Sequence, residues 1–212
     1  CEPTVENGDP IETGDRVLAV EGTVREVLRG ERVAVNITGH ASGVATKTRD
    51  AVDAARTESD DVHIAGTRKT TPGLRGIEKR AVVAGGGDTH RLDLSHMAMV
   101  KDNHVAEMGL DGAIEHFHER VSFATKIEVE VESIADAPQA AEAGADIVLL
   151  DNMTPEEVTA AVDALPEGTL AGASGGITID DVPAYARTGV DIISMGSLTH
   201  SAPTLDYSFR TG

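Results

Sequence analysis

The chain has 212 residues, 40% hydrophobic and 25% charged, with a formal net charge of −18. That composition excludes a disordered chain and leaves room for one large α/β domain, or for one such domain with a smaller companion. The acidity is unsuited to nucleic acid or anionic membranes, no apolar run reaches the length of a membrane span, and Cys1, the sole cysteine, excludes an internal disulfide or a cysteine-based zinc cluster.

The first residue is Cys rather than Met, so part of the N-terminus is expected to be missing. Lysine occurs only at Lys47, Lys69, Lys79, Lys101 and Lys126, and the other basic residues are Arg. The acid excess reads as adaptation to high salt, where ions screen self-repulsion, or as an ordinary acidic cytosolic protein. The cysteine usage fits a reducing, cytoplasmic setting.

In chain order, residues 12 to 29 (ETGDRVLAVEGTVREVLR) read as a hairpin-like β element with Gly14 and Gly22 at turns. GERVAVNITGHASGVATKTRDAVDAAR then looks helical, interrupted at Gly39 and Gly43. Residues 1 to 61 are expected to be the remnant of a smaller α/β domain. From Val62 onward, VHIAG, MAMV, IEVEV, DIVLL, TLAGA and DIISM read as strands. Helical patterns such as SIADAPQAAEAGA and TPEEVTAAVDAL lie between several of them. This rhythm predicts a parallel sheet, closing toward a β/α barrel over residues 62 to 200.

The strands end in polar or glycine-rich residues: Thr67-Arg68-Lys69, Lys101-Asp102-Asn103, Asp151-Asn152, Ser174-Gly175-Gly176 and Gly196-Ser197. In a β/α barrel that rim builds the active site. Alternation in KIEVEVES puts Glu128, Glu130 and Glu132 on one face, either toward the lumen or on a solvated edge. Between Thr67 and His104 the cations Arg68, Lys69, Arg75, Lys79, Arg80, Arg91 and Lys101 outnumber the acids Glu78, Asp88, Asp93 and Asp102. A positive island on a negative body suggests an anionic ligand, unless the charges form ordinary surface ion pairs. GGGDTHR adds His90 and Arg91 as donors beside a glycine run. SGG and GS follow the last two strands, the usual phosphate position of such a barrel. No Walker loop, Ser-His-Asp order or zinc-ligand spacing is present.

GTRKTTPGLRGIEKRAVVAGGGDTHR, MAMVKDNHV, KIEVEVES, DIVLLDNM, ASGGIT and DIISMGSLTHSAPTLD occur in the order found in quinolinate phosphoribosyltransferase, which the chain resembles over nearly all its length. The resemblance implies a small N-terminal α/β open-faced sandwich and an incomplete barrel of seven strands, with a C-terminal tail over 201 to 212 returning to the N-terminal domain. It implies the reaction of quinolinate with phosphoribosyl pyrophosphate and Mg²⁺ to give nicotinate mononucleotide, pyrophosphate and CO2. Carried over, Thr67, Arg68, Lys69, His90, Arg91 and Lys101 bind quinolinate, with Lys69, Lys101 and His90 in the catalytic roles. Glu130 and Asp151 hold the ribose hydroxyls and Mg²⁺. Ser174, Gly175, Gly176, Met195, Gly196 and Ser197 cradle the phosphate. Arg32 reaches the site from the partner subunit of a homodimer. Family members commonly have Glu two residues before the Ser of SGG, where this chain has Gly172. The rival readings are a nicotinate phosphoribosyltransferase on the same fold, and a non-catalytic phosphosugar-binding protein.

Overall fold

The computed structural model describes residues 1–210. The chain runs β1 (Glu2–Pro3), β2 (Leu18–Ala19), α1 (Val24–Arg56), β3 (His63–Gly66), α2 (Arg75–Ala84), β4 (Ala98–Val100), α3 (Asp102–Met108) and α4 (Leu110–His118). It continues with β5 (Ile127–Val131), α5 (Asp136–Glu142), β6 (Ile147–Asp151), α6 (Pro155–Ala164), β7 (Leu170–Ser174), α7 (Val182–Ala186), β8 (Ile192–Met195) and α8 (Ser197–His200).

The hairpin expected over residues 12 to 29 does not form. β1 and β2 pair antiparallel over two residues each, and the helix already begins at Val24. The cause is local. Thr23 accepts from the Glu26 backbone N–H while the Glu26 carboxylate takes the Thr23 N–H, a reciprocal cap that starts a helix. The helix is not interrupted at Gly39 or Gly43. Those glycines admit the segment 203–205, for a Cβ would stand 2.6 Å from the Leu205 carbonyl oxygen at Gly39 and 1.8 Å from that of Pro203 at Gly43. Each glycine costs the helix about 1 kcal/mol relative to Ala, which the close approach of the tail offsets. Leu205 N–H donates to the Gly39 carbonyl at 3.1 Å, and the Tyr207 hydroxyl meets Ser42 Oγ at 3.0 Å. Of the tail over 201 to 212, residues 211 and 212 lie outside the described residues.

The large sheet is parallel, in the order β3-β8-β7-β6-β5-β4. Six strands form it rather than seven. The seventh place, beside β3, is held by Asp88, which makes one parallel bridge to Ala65. Residues from every strand of the sheet or its trailing end line one cavity, so the sheet is curled around a common lumen. Ile127, Val129, Val148, Leu150, Ala173 and Ile193 bury their side chains in the apolar core. The alternate positions face inward, and that alternation places the site.

Candidate active site

The cavity has a volume of about 510 Å³, the size of an ordinary small-molecule site. Its cationic side begins just past β3. Arg68 and Lys69 line it, and neither side chain has a hydrogen-bond or ion-pair partner among the described residues. The loop that carries them is tied down from below. Arg75 donates to Thr70 Oγ1 at 3.0 Å and to the Leu92 carbonyl at 3.2 Å. Buried Glu78 accepts from the Thr71 N–H at 3.0 Å and meets His40 Nε2 at 2.7 Å. The positive island therefore has two uses. Arg68, Lys69, Arg91 and Lys101 face the cavity, whereas Arg75 and Lys79 hold loops.

Lys79 is buried and donates to the Thr89 carbonyl, just before His90. Burial, with Arg75 adding repulsion, pushes its ammonium down to about 8. His90 has φ 52, a left-handed backbone unusual for a side chain with a Cβ, and its N–H donates to Asp88 Oδ1 at 2.6 Å. Its Nε2 lies 3.1 Å from Glu128 Oε2. Arg91 is 7% exposed, and its one hydrogen bond among the described residues runs from Nη2 to the Met99 sulfur, 2.8 Å away. Burial and the neighbouring Arg68 charge lower its affinity for its proton, against the pull of Glu128 and Glu130. A guanidinium with five donors is thus held almost bare. Lys101, at the end of β4, contacts Glu130 Oε2 on β5.

The opposite side is acidic and hydroxylic. Ser174 donates to Asp151 Oδ1, and Asn152 Nδ2 donates to Asp151 Oδ2 at 2.7 Å. Gly175 has φ 102, and a Cβ there would lie 2.5 Å from the Asn152 nitrogen, so only glycine closes this turn. Ser197 Oγ is buried in the cavity wall without a partner among the described residues. A clamp of cations therefore faces a hydroxyl-and-amide end across this cavity.

The quinolinate phosphoribosyl transferase family models match this chain over residues 1–42 for the N-terminal domain and 44–210 for the C-terminal domain. The chain belongs to that family. The two matches meet inside α1. A probable nicotinate-nucleotide pyrophosphorylase [carboxylating] of Methanothermobacter thermautotrophicus is 48% identical over 97% of this chain and 76% of the relative. The Homo sapiens nicotinate-nucleotide pyrophosphorylase [carboxylating] is 46% identical over 92% of this chain and 67% of the relative. The crystal structure of NadC from Streptococcus pyogenes superposes with a TM-score of 0.91 at 42% identity, over 98% of this chain and 73% of that one.

Of the family positions expected from the sequence, Thr67, Arg68, Lys69, His90, Arg91, Lys101, Glu130, Asp151, Ser174, Gly175, Gly176, Gly196 and Ser197 all line the cavity. Met195 does not. Strand alternation turns Ser194 and Gly196 inward and buries Met195 in the core at 1% exposure. Arg32 lies on α1 with its side chain 69% exposed and is not part of this chain's cavity. Glu132 falls past the end of β5 and is exposed, so the acidic row has two inward members. Sequence reasoning missed Met99, Leu149, Ser194 and the tie of Glu128 to His90. Inward parity from Lys101, Asp151 and Gly196 back along each strand would have found the first three. Gly172 pairs with Leu149, whose Cδ1 would lie 2.9 Å from a Cβ at 172. Leu149 thus fills the lumen beside Gly172.

Proposed function

We propose that this protein transfers the phosphoribosyl group of phosphoribosyl pyrophosphate to quinolinate, releasing pyrophosphate and CO2 and leaving nicotinate mononucleotide for NAD biosynthesis. The observation that carries it is the bare clamp: Arg68, Lys69 and Arg91 have no ion-pair partner among the described residues, and they stand beside His90 and Lys101, which meet Glu128 and Glu130. A dianionic pyridine supplies the missing carboxylates, and Arg forks take carboxylates in bidentate fashion. A ligand with one carboxylate would not match all three cations, of which Arg91 is buried.

In this reading the clamp aligns the ring nitrogen with the ribose C1. The nitrogen bonds to C1 as the C1–O bond to pyrophosphate breaks, and the fixed cations stabilise the charge that separates. The C–CO2⁻ bond of the carboxylate next to the ring nitrogen then breaks. Its electron pair stays on the ring carbon beside the cationic nitrogen and takes up a proton. Lys69 or Lys101, with His90, stabilises and protonates that carbon. Ser174, Gly175, Gly176, Gly196 and Ser197 hold the 5′-phosphate, and Glu130 and Asp151 hold the ribose hydroxyls.

Mg²⁺ fits as a shared ion. Among the described residues no group of three or more His, Cys, Asp or Glu side chains is gathered for a metal. Mg²⁺ commonly takes one or two carboxylates and completes its shell with substrate phosphates and water. Glu130 and Asp151 are the carboxylates available, and the ion would neutralise the departing pyrophosphate.

The assembly in this proposal is a cytoplasmic homodimer in which Arg32 enters the neighbouring cavity. Exposed Val24, Leu28 and Val33 on the same stretch of α1 support a covered helix. Arg32→Ala and Lys69→Ala proteins, each inactive alone, should regain activity when mixed, and failure to complement sinks the shared site. The acidic surface is read as halophilic, so the melting temperature should climb with molar KCl; a flat or falling curve rejects that.

The deciding experiment supplies purified protein in KCl with Mg²⁺, phosphoribosyl pyrophosphate and either quinolinate or nicotinate. CO2 matched to nucleotide, with little product from nicotinate, is expected. Product from nicotinate alone would transfer the assignment to the rival transferase.

A further inference from the structure

Glu128 has no task in the reaction as described above. It projects into the lumen from β5 at 1% exposure, one inward position below Glu130. Its register neighbours Met99 on β4 and Ile147 on β6 cannot compensate a charge; Arg91 attracts it through space, and His90 is its hydrogen-bond partner among the described residues. Its two oxygens lie 3.2 and 3.1 Å from His90 Nε2, and Oε2 has no well-directed hydrogen bond among the described residues. A carboxylate taken out of water is costly unless it is paired, so this pair is a built feature of the floor.

We propose that Glu128 is a positioning residue: it holds the His90 ring with Nε2–H toward itself and thereby presents Nδ1 to the substrate. The inference rests on the phosphoribosyl-transfer reading of the cavity. The His90 backbone is already fixed, by the bond to Asp88 and by Lys79 on the preceding carbonyl. The ring torsions are not, and the tether to Glu128 supplies that constraint. An ionised carboxylate can only accept, so Nε2 must carry a hydrogen. Nδ1, with no partner among the described residues, is then the ring nitrogen left for the ligand.

Toward an anionic carboxylate, Nδ1 helps only as a donor, which makes the bound ring an imidazolium with Glu128 behind it. When the C–CO2⁻ bond breaks, the Nδ1 proton can pass to the ring carbon that keeps the electron pair. The neutral ring that remains carries its hydrogen on Nε2, the tautomer Glu128 favours, and water restores the Nδ1 proton after product leaves. The same carboxylate thus serves binding and the return of the ring.

The test combines kinetics with ¹⁵N-histidine NMR on the intact protein. Glu128→Gln can turn an amide N–H toward Nε2 and release the tautomer. It should raise the KM for quinolinate roughly tenfold, as loss of one charge-assisted hydrogen bond would, with the KM for phosphoribosyl pyrophosphate unchanged. In a His90→Ala background the same substitution should add no further loss. Additive losses, or equal rises in both KM values, overturn the proposal. The wild-type spectrum should show a hydrogen on His90 Nε2; a ring protonated only at Nδ1 overturns it even if the variant fails to fold. A wild type inert toward quinolinate would defeat the reading of the cavity, whereas an active wild type with additive losses overturns the role of Glu128 alone.

Discussion

The two sides of the cavity are finished to different degrees. On the side built by β6, β7 and their loops, Asp151 is met by Ser174 and Asn152, and the Gly175 turn leaves no room for a side chain. On the side built by β3, the Asp88 segment and β4, the Arg68 and Lys69 side chains have no partner among the described residues, and the one hydrogen bond of Arg91 among them is to a thioether. A carboxylate such as Asp151 that meets hydroxyls can be satisfied by the protein in advance. In the proposed reaction Arg68, Lys69 and Arg91 are left for the dianion, whereas His90 and Lys101 beside them are already met by Glu128 and Glu130. In that proposal the cationic side is the specific one, and burying Arg91 there makes it less stable than it could be.

The strongest way to break this contrast is to remove the buried cation. Arg91→Met should lower kcat/KM for quinolinate by about two to three orders of magnitude, the range for truncating a buried charge contact. Its melting temperature should stay level or rise, because a desolvated guanidinium has gone. A variant that loses stability along with activity would mean that Arg91 is structural. On the finished side, Asp151→Asn should cost less, roughly tenfold, and the loss should fall on the KM for phosphoribosyl pyrophosphate. If the KM for quinolinate rises instead, the two sides have been assigned the wrong ligands.

Much of this was legible before the fold. The six strands and the polar residues after them were readable because parallel strands buried on both faces are apolar runs with abrupt polar ends. The cationic motifs stood out against the acid excess. What stayed hidden depended on contacts distant in sequence. Gly39 and Gly43 looked like helix breaks because their partner is the tail at 203–205. Arg75 and Lys79 counted with the ligand cations because charge alone does not tell a loop tether from a substrate clamp. Met195 was placed with its motif neighbours although alternation assigns it to the core. Residues 12 to 29 were misread because Gly14 and Gly22 were placed at hairpin turns, although Thr23 and Glu26 form a helix cap just after Gly22.

The smallest expected effect sharpens the contrast from beneath. Lys79 supports the cationic side through the Thr89 carbonyl, and burial lowers its ammonium from the usual range to about 8. Below that pH it is charged in the folded and the unfolded chain alike, and the cost of burying the charge is fully present. Between about 8 and the lysine value of 10.5 the folded protein has released the proton while the unfolded chain still binds it. Stability therefore gains with rising pH across that window, as it does wherever the unfolded state holds more protons. Other groups also titrate there, so the measured quantity is the difference in unfolding free energy between wild type and Lys79→Met. That difference should grow in favour of the wild type by on the order of 1 kcal/mol from pH 7.5 to 10, after allowance for solvent screening. A difference that stays constant would mean that the ammonium is solvated, and that the strain on this side of the cavity ends at Arg91.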